Sequence, residues 1–218
     1  MTFSRLRWKH HEMYLPLFPL KLVAFPGESL NLHIFEPRYK ELLADVEEMN
    51  SSFGVCVFTD KLTGFGTEVT LEEIYHRYDD GRLDIKTKGR RVFRLTTFDN
   101  PAPDKAYAGG KVEFFEDDMT THERKQKEYA FYLKEMLRLL DHEVEFDPMA
   151  VNSFSYAHKV GLTLEEELEL LLISSELERL DYLIKHFNRM IPAFKAAESA
   201  KQKIRLNGHF KHLDPLQF

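Results

Sequence analysis

The chain has 218 residues, 43% apolar and 30% charged, and its 36 acidic against 30 basic side chains give a net charge of −6. Those proportions belong to a folded globular chain, not a disordered one, and a net negative charge without a basic tail argues against a nucleic-acid partner. A single cysteine, Cys56, excludes an intramolecular disulfide and suits a reducing cytoplasm; within FGVCVF it reads as a small buried hydrophobe.

The opening MTFSRLRWKHHEMY lacks the apolar run of a signal peptide, and no segment reaches membrane-spanning length, so a protein of the cytoplasm is expected. Residues 1–12 are expected to be a flexible segment. The folded part then opens on LPLFPLKLVAFPGE, Leu15 to Glu28, an apolar stretch interrupted by Pro16, Pro19 and Pro26. Proline cannot donate to a sheet ladder, so this strand is expected at a sheet edge. SLNLHIF alternates Leu30, Leu32 and Ile34 with Asn31 and His33, which predicts a strand with one solvated face. EPRYKELLADVEEM reads as a helix with Pro37 in its first turn, Glu36 near its positive end, and Leu42, Leu43 and Val46 as its apolar stripe.

SFGVCVF is apolar on both faces, as in a wrapped sheet. GFGTEV, with Gly64 and Gly66, reads as a loop before the strand TEVTLEEIYHRY. Asp80-Gly81 signals a hairpin into DGRLDIKTKGRRVFRL, where Gly89 marks a bend or bulge. PAPDK is a loop and YAGGKVEFFEDD a last strand. Six or so strands, one long and bent, predict a small barrel or half-barrel over residues 13–117.

The period then changes. Tyr129, Tyr132, Leu133, Met136, Leu137 and Leu140 stand at helical spacing, with Thr121 as the expected N-cap. A short helix is expected to end at Gly161, and Thr163 with Glu166 has capping-box spacing for a following one. A long helix carrying Leu180, Leu183, Phe187, Ile191 and Phe194 is expected to kink or break near Pro192 and to stop at Asn207-Gly208. The expected fold class is therefore α+β, a small bent β pseudo-barrel followed by an α-helical bundle at 118–206 and a tail at 207–218, the two halves packed together.

The run LPLFPL, then Pro26-Gly27, then Leu30 to Ile34 and Phe35-Glu36-Pro37-Arg38-Tyr39, resembles the opening of the substrate-recognition domain at the N-terminus of Lon proteases. DGRLDIKTKGRRVFRL is similar to that family's later strand pair, and LEEELELLLISSELERLDYLIKHF to its helical part; together the similarity covers roughly residues 13 to 200. The resemblance implies a barrel-like sheet with a helical bundle, and binding of unfolded or partly folded proteins and peptides. It also implies, as the alternative, a role in homo-oligomer assembly or docking on a protease. The sequence holds no G-x-x-x-x-G-K-[ST] phosphate loop and no later module for a Ser-Lys dyad, so no catalysis is expected.

Other constellations point to scaffold. Three His-Glu pairs (His11-Glu12, His122-Glu123, His142-Glu143) meet Leu15, Gln126 and Phe146 where a zinc protease needs its second histidine. His209 and His212 lack companion ligands. Lys86, Lys88, Arg90, Arg91 and Arg94 form a basic cluster, but alternation makes most of it a solvated strand face. Glu36, Arg38 and Tyr39 suit a brace, and Glu165, Glu166 and Glu167 a helix N-terminus. No catalytic, metal-ligating or cofactor-binding residue is assigned, no cofactor, nucleic acid or membrane is expected as a partner, and the binding residues are left open. An apolar groove at the barrel rim or the barrel–bundle junction is the expected client site, with edge-strand backbone adding hydrogen bonds where proline has not removed donors.

Overall fold

A computed structural model describes residues 12–209. The described residues form two compact units: those up to Thr120 together with Asn152–Arg179, and Thr121–Val151 together with those from Leu180 on.

The first unit holds six strands: β1 (Met13–Leu20), β2 (Ser29–Ile34), β3 (Ser52–Phe58), β4 (Leu62–Arg77), β5 (Leu83–Leu95) and β6 (Ala108–Phe114). Their order is β2-β5-β4-β3-β1-β6, and β6 returns to pair with β5, which closes a five-strand ring and leaves β2 outside it. The long strand β5 makes this possible. Its first half, Leu83 to Lys88, pairs with β2, and its end, Phe93 to Leu95, pairs with β6 along the same edge.

Gly89 sits at the handover. Phe25, Pro26, Gly27 and Glu28 make a type II turn, with the Glu28 N–H bonded to the Phe25 carbonyl and Gly27 at φ +79°. Gly27 then donates to the Gly89 carbonyl while Gly89 donates to that of Glu28, the bonding of a glycine-led bulge. A Cβ on Gly89 would lie 2.1 Å from the Phe25 carbonyl oxygen, so no larger residue fits unless the turn moves. A register shift on β4 between Thr67 and Val69 bends the sheet at the same level. The bend divides one side-chain parity between two cores: Leu83 and Ile85 pack with one cluster, Phe93 with the other.

The first core lies between the sheet and α1 (Pro37–Met49), where Tyr39, Leu42, Leu43 and Val46 meet Phe18, Ile34, Phe53, Val55 and Ile85. Full burial of each such side chain stabilises by about 1.5–3 kcal/mol. The second core gathers Leu15, Leu17, Cys56, Phe93, Ala108, Val112 and Phe114 inside the ring. Small residues make room for it: a Cβ on Gly54 of β3 would meet both Leu17 of β1 and Phe93 of β5, two strands that are not adjacent in the ring.

β1 is not an edge strand. It pairs with β6 over Met13–Leu17 and with β3 over Leu17–Leu20, so it is flanked on both sides but in staggered halves. Pro16 stands opposite Gly109, whose N–H and carbonyl are both committed to Asp99, so this pair needs no bond from proline. Backbone groups alternate sides along a strand, so the nitrogen of Pro19 faces the β6 side, where pairing has already ended at Leu17. Neither proline therefore removes a bond between β1 and β6.

Other elements depart from expectation for local reasons. Gly64 and Gly66 lie within β4, not in a loop; a Cβ on Gly66 would sit 2.3 Å from the Val55 carbonyl and 2.7 Å from Phe93. The cap of α2 (Glu123–Leu139) is His122, which accepts from the Lys125 N–H, whereas the Thr121 hydroxyl is buried and has no partner among the described residues. The short helix is a 3-10 turn, Ala157–Lys159. α3 (Leu164–Leu171) has the expected capping box from Thr163 and Glu166. α4 (Glu176–His209) runs helically through Pro192 without a break, and past Asn207-Gly208 to the end of the described residues. In the second unit Tyr129 stacks on Phe187 at 6.1 Å between ring centres, Gln126 donates to the Val151 carbonyl, and Lys125 pairs with Asp181 at 2.9 Å.

Candidate functional site

Polar side chains in the first unit divide into clusters that are fully occupied and an edge that is not. The most buried cluster centres on Arg179, 1% exposed. Arg179 donates to Glu176 at 2.9 Å, Asp117 at 2.7 Å, Ser153 at 3.0 Å and the Ile173 carbonyl at 2.7 Å, and lies over the Phe154 ring. Glu176 accepts the Ser153 N–H and hydroxyl as well. Every charge here is paired, which makes it a strut joining the end of β6, the loop at Ser153 and the first turn of α4.

His158 forms a second cluster. It bonds Glu167 of α3 at 2.7 Å and Glu28 at 3.1 Å, and packs against the ring of Phe25. Burial alone would lower its pKa, but the hydrogen bonds and charges of Glu167 and Glu28 outweigh that and raise it to about 10. The imidazolium thus clamps the α3 region to the residue preceding β2. In a third cluster Asp45 of α1 accepts from Lys105 at 2.7 Å and from the Tyr107 hydroxyl; these bonds hold its carboxyl below the usual range. Cys56 is enclosed, and burial pushes its thiol up to about 12, far from a nucleophile's range. Among the described residues no group of three His, Cys, Asp or Glu side chains could hold a metal ion.

The basic cluster is mostly neutralised. Arg91 pairs with Glu68 at 2.6 Å, Arg94 with Glu113 at 2.6 Å and Lys86 with Glu72 at 3.6 Å. Lys88 and Arg90 meet no carboxylate among the described residues, and Arg90 donates to Thr70 instead. Two isolated cations fall short of the track of contacts that a phosphate backbone needs. Glu36 and Arg38 pair with each other at 2.8 Å, Arg38 lies over Tyr39, and Tyr39 stacks on Phe18, so this trio braces α1 against the sheet.

The open part is a three-strand extension beyond the ring: β2, the first half of β5 and the last part of β4. Its two outer edges differ in kind. The β4 edge carries Glu72, Glu73 and Arg77 and two register shifts, between Leu71 and Glu73 and between Ile74 and His76. Charges and bulges are the usual guards of a sheet edge. β2 has neither, nor any proline, over Ser29–Ile34.

The bulge at Glu28 and Gly89 sets the bonding phase along β2. Leu30, Leu32 and Ile34 share hydrogen bonds with Thr87, Ile85 and Leu83, while Ser29, Asn31 and His33 turn their N–H and carbonyl groups away from β5. The Thr87 hydroxyl, which donates to the Leu30 carbonyl at 3.1 Å, agrees with that phase. Among the described residues no strand meets this outer edge. Leu30 and Leu32 are only half-buried at the margin of the α1 core, with Leu20, Leu22, Leu71 and Ile74 on the same margin.

Beyond the strand the surface turns aromatic. Phe35 is 59% exposed and Tyr75 52% exposed. His33 stacks with Phe35 at 6.1 Å and meets the edge of Tyr78 at 5.8 Å, and His76 meets Tyr78 at 4.2 Å. Asp84 accepts from His33 at 2.5 Å and from the Tyr78 hydroxyl at 2.8 Å; its bond to His33, then that to Tyr78, keep its pKa below the ordinary carboxylate value. The sequence marked β2 as half-solvated but placed the edge at β1. The usable signal was the absence of guards: a proline-free, uncharged strand beside one interrupted by prolines.

Comparison with known proteins gives a consistent picture. A family model described as the ATP-dependent protease La (LON) substrate-binding domain matches residues 14–189. The crystal structure of a Lon N-terminal domain protein from Xanthomonas campestris is 28% identical, with TM-score 0.62, covering 79% of this chain and 98% of that one. The N-terminal domain of a Mycobacterium avium complex Lon protease is 16% identical with TM-score 0.59, covering 81% and 98%, a likeness of fold. No helix among the described residues is long and apolar enough to cross a membrane.

Proposed function

Since this chain belongs to the LON substrate-binding domain family, we propose that it is a protein-binding module without catalysis of its own, taking exposed apolar segments of unfolded or partly folded proteins. The observation that carries this reading is the unguarded β2 edge, flanked by half-buried Leu30 and Leu32 and by exposed Phe35. An apolar surface next to unpaired backbone groups suits a segment that has lost its own fold.

The absence of catalysis is supported by the state of the ionisable groups. The buried charges around Arg179 are spent on one another, and Cys56 is shut away from solvent. The same buried thiol suits a cytoplasmic protein. The test is titration of the protein with a reduced, carboxymethylated protein and with the folded form of that protein, read by fluorescence anisotropy. Binding is expected for the unfolded form alone; equal binding of both, or of neither, overturns the reading. Incubation with casein and ATP should give neither cleavage nor nucleotide turnover.

A further inference from the structure

We infer that clients are held by strand addition: an extended segment with apolar residues at alternate positions pairs with the outer edge of β2 and becomes a further strand of the sheet. The inference rests on the function proposed above and assigns it a site and a mode.

The edge defines its occupant. Ser29, Asn31 and His33 present N–H and carbonyl groups at every second residue, about 7 Å apart. Only another extended backbone offers donors and acceptors at that repeat. Residues facing Ser29, Asn31 and His33 across the new pairing would put their side chains on the solvated face. The residues between them would put theirs beside Leu30 and Leu32, whose burial at the core margin they would complete. Polar, apolar, polar, apolar, polar is thus the fitting pattern. Neighbouring charge refines it. Ser29 stands across from Lys88, which with Arg90 lacks a carboxylate among the described residues, so an acidic residue is favoured at that end. At the other end Phe35 offers a ring to an apolar one.

A second copy of the chain is a poorer occupant. A strand of six residues is about 20 Å long and a sheet edge about 10 Å thick. Joining two such edges covers about 200 Å² per chain, against about 800 Å² in a stable interface. The edge therefore suits weak, reversible capture of a flexible segment better than permanent assembly.

The test uses the whole chain and a heptapeptide alternating serine and valine with a glutamate at one end. Two further versions carry N-methyl groups on the odd or on the even amides. Strand addition requires that one methylated version lose affinity about tenfold or more while the other keeps it, because only alternate amides face β2. Amide NMR signals of Ser29, Asn31 and His33 should shift on binding, and Asn31→Pro should weaken it with the protein still folded. If both methylated peptides bind like the parent, or the shifts fall elsewhere, strand addition is wrong although client binding stands. If the parent peptide fails while the carboxymethylated protein binds, this site is likewise refuted. If neither binds, the function itself is refuted. A concentration-dependent dimer whose formation shifts the β2 amides would replace the peptide by a second copy.

Discussion

Two strands at the start of the fold invert the usual sign of proline. β1 carries Pro16 and Pro19 and is flanked on both sides, whereas β2 has no proline and is flanked on one. The difference lies in stagger. β1 hands over from β6 to β3 at Leu17, so each half has one open side to which a proline nitrogen can turn. β2 pairs with β5 along its whole length, and its open side stays open throughout. Proline content therefore reports which individual donors lack acceptors, not whether a strand is an edge.

The contrast can be broken most forcefully at Leu32, whose N–H belongs to the bonded pair with Ile85. Leu32→Pro should cost about 3 kcal/mol or more in urea denaturation. A cost near zero would mean that the bonding phase of β2 is the reverse of that described. Next in size is Gly66→Ala within the ring. Its Cβ would press on the Val55 carbonyl, which is backbone and yields little, so a loss of about 1–3 kcal/mol is expected.

A smaller effect follows from pH. The folded His158 pKa of about 10 lies above its ordinary 6.5, so its contribution is fully present below pH 6.5 and is lost as pH rises through 10. Melting temperatures of the wild type should fall over that window more steeply than those of His158→Asn. Parallel curves would show that the clamp on Glu28 contributes nothing. The smallest change is expected for Asn31→Pro, below about 1 kcal/mol, because the lost N–H faces outward. Equal losses for Leu32→Pro and Asn31→Pro would erase the distinction between the two sides of β2.

Much of this was legible in local pattern. Alternation at Leu30, Leu32 and Ile34, the helical stripe of α1, the Asp80-Gly81 hairpin and the Thr163 capping box each depend on residues a few positions apart. The misread features depend on distant partners. Gly64 and Gly66 resembled a loop because glycine is common in turns, yet Gly66 is small in order to pass Val55 and Phe93. Thr121 had the chemistry of a cap, but the helix begins one residue further on, at Glu123, so His122 takes the cap position. Arg179 looked like one charge among many on a helix, and its burial became visible only when Asp117, Glu176 and Ser153 converged on it.

Sequence alone determined the α+β class, the family resemblance and the order of elements, because these follow from periodicity and from unusual residues close together in the chain. Tertiary structure alone decided which strand was left with an open side, because that depends on the bend at Gly89 allowing β5 to share one edge between β2 and β6. Hydrogen-bond partners more than fifty residues apart leave no periodic trace in either strand.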